Sequence, residues 1–104
     1  MKQYLTENQS VKLRVLGFPQ RTHFIVGSYG MKLPRFTYSV GDLLEFLPKK
    51  IDGVPLSLRP GDTRWQVGYN GICIVTEEEL VDALFNLIMT PFIMSVIEKN
   101  EISD

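Results

Sequence analysis

The side chains able to do chemistry in this sequence are few, and their spacing gives each a structural task. His23 is the only histidine, which excludes two-histidine metal motifs and leaves no Cys-His zinc pattern. As a general base it would need an activated neighbour. Ser28 follows five residues later in Gly27-Ser28-Tyr29-Gly30, outside any Gly-x-Ser-x-Gly elbow, so His23 reads as a loop residue without a chemical role. Cys73 is the single cysteine and cannot form an internal disulfide. Placed inside a short apolar run, it suits a small buried hydrophobe, with no neighbour to lower its pKa. The carboxylates cluster at Glu77, Glu78 and Glu79 and at Asp42 and Glu45. Both clusters fall in expected first turns of helices, where capping and the helix dipole account for them. An acid pair drawn from distant parts of the chain stays open as a glycosidase-type alternative. Gly27, Gly30, Gly61 and Gly68 form neither Gly-x-Gly-x-x-Gly nor a phosphate loop. No catalytic residue, metal ligand or cofactor is assigned.

A second pattern interleaves cations with aromatic rings: Lys32, Arg35, Phe36, Tyr38, Arg59, Arg64, Trp65 and Tyr69. Bases stacked on rings beside a cationic groove are the chemistry of single-strand binding. Lys32, Arg35, Arg59 and Arg64 are the candidate nucleic-acid contacts. The competing use of Trp65 and Tyr69 is burial beneath a helix, and this is favoured, because an alternating strand beside an amphipathic helix places its aromatic face in the core.

The elements that would position these groups centre on residues 65–89. Trp65, Val67 and Tyr69 alternate with Gln66 and Gly68, the period of a half-buried strand. Asn70-Gly71 tolerates the positive φ of a type I′ turn and predicts a hairpin into Ile72–Val75. Thr76 and Glu79 have capping-box spacing, and Leu80, Val81, Leu84, Phe85, Leu87 and Ile88 form a broad apolar face. Upstream, Thr6 and Gln9 cap an expected helix over 7–16 with Val11, Val15 and Leu16 on one stripe. Residues 18–35 are expected to be loop, with Phe24-Ile25-Val26 the one strand-like run. Ser39 and Asp42 start a second helix, which ends at Pro48. Val54, Leu56 and Leu58 alternate as a strand that Pro55 confines to a sheet edge.

Pro91 should break the helix after Met89 or Thr90, yet apolar residues continue through Ile97. Phe85, Ile88, Met89, Phe92, Ile93 and Met94 are therefore candidates for either the core or a homodimer interface. The run from Ala83 to Ile97 is too short and too interrupted by Asn86, Thr90, Pro91 and Ser95 for a membrane span of about 20 apolar residues. With no apolar segment in residues 1–10, the expected location is cytoplasmic.

The chain has 104 residues, 44% hydrophobic and 22% charged, with a formal net charge of −1. It is long enough for one domain with its own core. Ten of the eleven Lys and Arg precede Thr76, whereas seven of the twelve Asp and Glu follow from Glu77. Two such halves complement each other within a fold or across a dimer.

Leu33-Pro34-Arg35-Phe36-Thr37, Asp42-Leu43-Leu44-Glu45-Phe46-Leu47-Pro48-Lys49, Trp65-x-Val67-x-Tyr69 and Glu79-Leu80-Val81-Asp82-Ala83-Leu84-Phe85 together resemble a pattern in short uncharacterised bacterial and phage proteins. The likeness covers residues 33–89 and departs at Thr90-Pro91. It implies mobile-element ancestry and carries no site residue across.

The expectation is a single α+β domain over 1–104: a three- to four-stranded antiparallel meander with one face covered by helices. Its expected role is that of a non-enzymatic accessory or protein-interaction module, homodimeric or bound to another protein. The alternative is a nucleic-acid-associated regulator.

Overall fold

The computed structural model describes residues 2–102. Its element order is α1 (Glu7–Val15), β1 (Thr22–Val26), β2 (Lys32–Phe36), α2 (Val40–Phe46), β3 (Lys50–Ile51), β4 (Val54–Pro60), β5 (Trp65–Tyr69), β6 (Cys73–Glu77), α3 (Leu80–Met89) and α4 (Pro91–Ile102). A 3₁₀ turn, Ser28–Gly30, joins β1 to β2. The strands form two antiparallel sheets: β3-β4-β5-β6, which is the expected meander, and a separate β1-β2 ribbon.

The meander and the helices share one core. Val67 and Tyr69 point from β5 into it without exposed surface, Trp65 packs half-buried beside them, and α3 lies across β5 and β6. Leu80, Val81, Ala83, Leu84, Phe85, Leu87 and Ile88 are all buried, so α3 is more than a surface helix with one apolar stripe. The sheet covers one side of it, and α2 and α4 pack on others. Asp82 and Asn86 occupy the polar remainder. Asp82 receives Lys2 Nζ at 2.9 Å and Gln9 Nε2 at 3.1 Å, and Asn86 donates to Glu77 Oε1 at 2.9 Å.

Two of the three predicted capping boxes form. Thr6 and Gln9 exchange hydrogen bonds at the start of α1, and Ser39 and Asp42 do so at the start of α2. The break at proline also forms: Pro91 opens α4, whose axis turns by 71° from α3. No single helix among the described residues is long and apolar enough to cross a membrane.

Five local expectations are corrected. β4 is not an edge strand: it lies between β3 and β5, and Pro55 is tolerated because the pairing with β5 starts only at Leu56. Residues 18–35 are not loop, because Thr22–Val26 pairs in full with Lys32–Phe36. On α1 the buried positions are Ser10 and Leu13, whereas Val11, Val15 and Leu16 are exposed. The β5–β6 connection is not type I′: Tyr69 pairs with Cys73, leaving three loop residues, of which Gly71 alone has positive φ. That loop closes through Ile72 N–H to the Tyr69 carbonyl at 2.9 Å and fits a three-residue hairpin with glycine in the left-handed position. A two-residue turn with both central φ values positive occurs instead at Asp52 (50°) and Gly53 (80°), joining β3 to β4. Finally, Thr76 does not cap α3. The strand continues to Glu77, which pairs with Trp65, and α3 starts at Leu80 after Glu79. Ladder pairing outweighs the local cap because it satisfies backbone groups along the whole strand. Glu79 instead accepts the Lys2 backbone N–H at 2.8 Å.

Gly68 faces the second strand at close range. Its φ of +145° is disfavoured for L residues, and a Cβ there would collide with the Cys73 carbonyl.

Candidate interaction surface

The β1-β2 ribbon projects from this body as an arm. The radius of gyration of the chain, 14.6 Å, exceeds the roughly 13 Å of a compact chain of this length, and neither strand of the ribbon packs extensively on any other element. Only the base is anchored. Thr37 N–H donates to the Arg21 carbonyl at 3.2 Å, and Leu5 N–H to the Tyr38 carbonyl at 3.0 Å. Beneath them the Thr37 hydroxyl donates to the Leu5 carbonyl at 2.9 Å and lies 3.1 Å from the Ser10 hydroxyl. Ser10 and Thr37 are the buried polar residues of the fold, and both are hydrogen-bonded.

A polar strut fixes the arm to α2. His23 Nε2 lies 2.7 Å from Asp42 Oδ2, the oxygen that also accepts the Ser39 backbone N–H at 2.9 Å. Burial alone would raise the Asp42 carboxyl, but the hydrogen bonds from Ser39 and His23 outweigh it and hold the group below the usual carboxylate range. The Tyr4 ring covers His23 at 5.2 Å, and Arg21 sits 5.5 Å from the Phe46 ring and 3.3 Å from Glu45. A histidine oriented by a carboxylate is half of a nucleophile-activating system. Ser39 Oγ, in the same cap, accepts the Asp42 N–H at 3.2 Å. The His23–Asp42 contact ties β1 to the start of α2. Sequence reading assigned His23 to a loop without a task; its task is this contact, which spans 19 residues of chain.

Along its length the arm is open to solvent. Phe24 is 66% exposed, Val26 61%, Phe36 59% and Tyr29 99%, with Met31 and Leu33 also exposed. Such side chains in one projecting element exceed the scattered apolar exposure of ordinary surfaces. Between the arm and α1 lies a groove of about 410 Å³, lined by Tyr4, Val11, Arg14, Ile25, Arg35 and Phe36 among others.

The candidate residues named from sequence separate into three places. Phe85, Ile88 and Ile93 are buried in the chain's own core, and Met89 and Met94 are half-buried against it, so this set is not the outward-facing interface the sequence allowed. Phe92 alone of the six is exposed. The cause is the bend at Pro91, which folds α4 back on α3 and spends the apolar run internally. Lys32 and Arg35 lie exposed on β2, without an ion-pair partner among the described residues. Arg59 lies on β4 and Arg64 just before β5, and both line a shallow cleft of about 350 Å³ beside Trp65. Arg64 approaches Glu77 at 3.8 Å. The four cations thus form two separate pairs. Of the interleaved rings, Tyr38 and Tyr69 are buried, Trp65 is half-buried and Phe36 is exposed. The Tyr69 hydroxyl donates to the Pro48 carbonyl, and burial beside the Cys73 thiol pushes its pKa up to about 12.

No cluster of three or more His, Cys, Asp or Glu able to hold a metal ion occurs among the described residues. The chain has no significant match to a family model, a curated protein or a solved structure.

Sequence reading missed the arm's Phe24, Val26, Tyr29, Met31 and Leu33. The available signal was the Phe24-Ile25-Val26 run followed, after Gly-rich residues, by Met31-x-Leu33, two apolar segments a hairpin's distance apart.

Proposed function

We propose that this chain is a protein-interaction module that engages its partner through the β1-β2 arm. The observation that carries this reading is the concentration of exposed apolar side chains on an element outside the core. A two-stranded ribbon is marginal in water, and here the His23–Asp42 contact and the Ser10–Thr37 hydroxyls hold it out from the body. An element maintained in that way and left uncovered is suited to docking. The same geometry weighs against nucleic acid: buried Tyr38 and Tyr69 cannot stack on bases, and the two cation pairs line no common groove.

The test is a photo-crosslinking amino acid placed at Tyr29, with a control at Ile74 on the larger sheet, expressed in the native host. Discrete protein adducts from position 29 and none from position 74 support the reading. Absence of any protein adduct from the arm, or salt-sensitive capture of nucleic acid alone, overturns it.

A further inference from the structure

We infer that the arm's partner is a second copy of this chain, joined edge to edge along β1 about a two-fold axis through Phe24; this rests on the docking role proposed for the arm. Arg21 pairs with Thr37, and Gly27 N–H donates to the Met31 carbonyl at 2.8 Å. In an antiparallel ladder, residues alternate between facing the partner strand and facing away. It follows that Thr22, Phe24 and Val26 direct their backbone N–H and C=O groups away from β2, as do Lys32, Pro34 and Phe36 on the opposite edge. No backbone hydrogen bond between described residues reaches the β1 groups.

The two edges are guarded differently. At the outward positions of β2 stand Lys32, whose charge repels its like, and Pro34, which lacks the N–H that a new strand would need. Both devices prevent edge pairing. β1 reads Thr-His-Phe-Ile-Val with no lysine, arginine, acid or proline, and every outward N–H is present. β1 of another copy brings an edge of the same kind, uncharged and with every outward N–H in place. Antiparallel self-pairing with full overlap has one register: Phe24 opposite the partner's Phe24, and Thr22 opposite the partner's Val26.

The side chains agree with this pairing. Phe24 and Val26, both exposed, share with Phe36 the ribbon face that the partner's β1 would extend, whereas Leu33 lies on the opposite face. In this register Phe24 and Val26 of both protomers line one sheet face, and each arm's tip passes the partner's Thr22 toward the base of the partner's arm. The ribbon becomes a four-stranded sheet, which removes the weakness of two strands alone.

The experiment uses the full chain. Sedimentation across a concentration series should show a dimer for the wild type. Phe24→Lys should weaken its Kd by roughly a hundredfold, because two cations then meet on the axis in place of a central apolar pair. Mixing Phe24→Lys with Phe24→Glu should restore the dimer. In a Cys73→Ser background, Phe24→Cys should oxidise to a covalent dimer, since paired Cα atoms about 5.5 Å apart lie within disulfide reach. Val26→Cys, displaced by four residues from its own copy, should not. A wild type that is monomeric at every concentration overturns the inference, as does a dimer indifferent to Phe24→Lys. If position 29 then crosslinks to a different protein, the docking role stands and the self-pairing falls; if it crosslinks to nothing, both fall.

Discussion

The body and the arm are built from the same kinds of residue and use them in opposite ways. In the body, Val67, Tyr69, Leu84 and Ile88 have no exposed surface and α3 is enclosed by a sheet and two helices. In the arm, Phe24, Val26 and Phe36 face water, and the strands are held by each other and by polar contacts at the base. Stability in the first comes from removing apolar area from water, and in the second from ladder hydrogen bonds and the His23–Asp42 strut. Apolar residues that contribute little to folding are free to contribute to association.

The contrast yields predictions that differ in size. Gly68→Ala should be the most damaging substitution, costing about 3 kcal/mol or more in urea unfolding, because the strained φ and the Cys73 carbonyl leave no space for a methyl group. A near-neutral result would show that β5 and β6 can separate without loss, against the picture of a tightly joined body. Ile88→Ala should follow at about 2–5 kcal/mol through the cavity it leaves. Phe24→Ala, measured at a concentration low enough to exclude association, should stay within about 0.5 kcal/mol of wild type. Equal effects at positions 24 and 88 would erase the distinction between the regions.

Tyr69→Phe should cost about 1 kcal/mol through loss of the hydrogen bond to the Pro48 carbonyl. It should also flatten the alkaline limb of stability. A tyrosine whose folded pKa is raised to about 12 contributes fully below the unfolded value of about 10, and the contribution is lost as pH climbs from there to the folded value. Stability of the wild type should therefore fall between those two pH values more steeply than that of the variant.

Asp42→Asn should act on the arm more than on the body. Because the folded carboxyl is held low, its contribution is whole above the unfolded value of about 3.9 and disappears as pH falls through the lower folded one. The visible change should be local. Amide exchange at Ile25, Leu33 and Arg35 should accelerate while that of Val67 and Leu84 is unchanged. Uniform acceleration would mean that arm and body unfold together.

Much of the body was legible from residue spacing. The Trp65-Val67-Tyr69 alternation, the two capping boxes, the Pro48 and Pro91 stops and the burial of Tyr69 beneath α3 all follow from local rules and all occur. The arm was not legible. Burial does alternate along β1, with His23 and Ile25 half-buried between exposed Thr22, Phe24 and Val26, but each face mixes polar with apolar residues and β2 is exposed throughout, so hydropathy carries no period of two. The end of β6 was misplaced for a related reason: Thr76 and Glu79 do carry a cap signal, but Glu77 has a ladder partner 12 residues away in Trp65.

What the sequence alone determined is therefore where helices begin and end and which strand face carries aromatic rings, because capping, proline sterics and side-chain period act between near neighbours. Only the tertiary structure decided that the apolar run around Pro91 completes the core, that Arg35 and Arg59 belong to different sheets, and that Phe24 and Val26 stand in water. Each of those outcomes depends on which distant segments compete for the same buried volume, and that competition is settled by the packing of the whole chain.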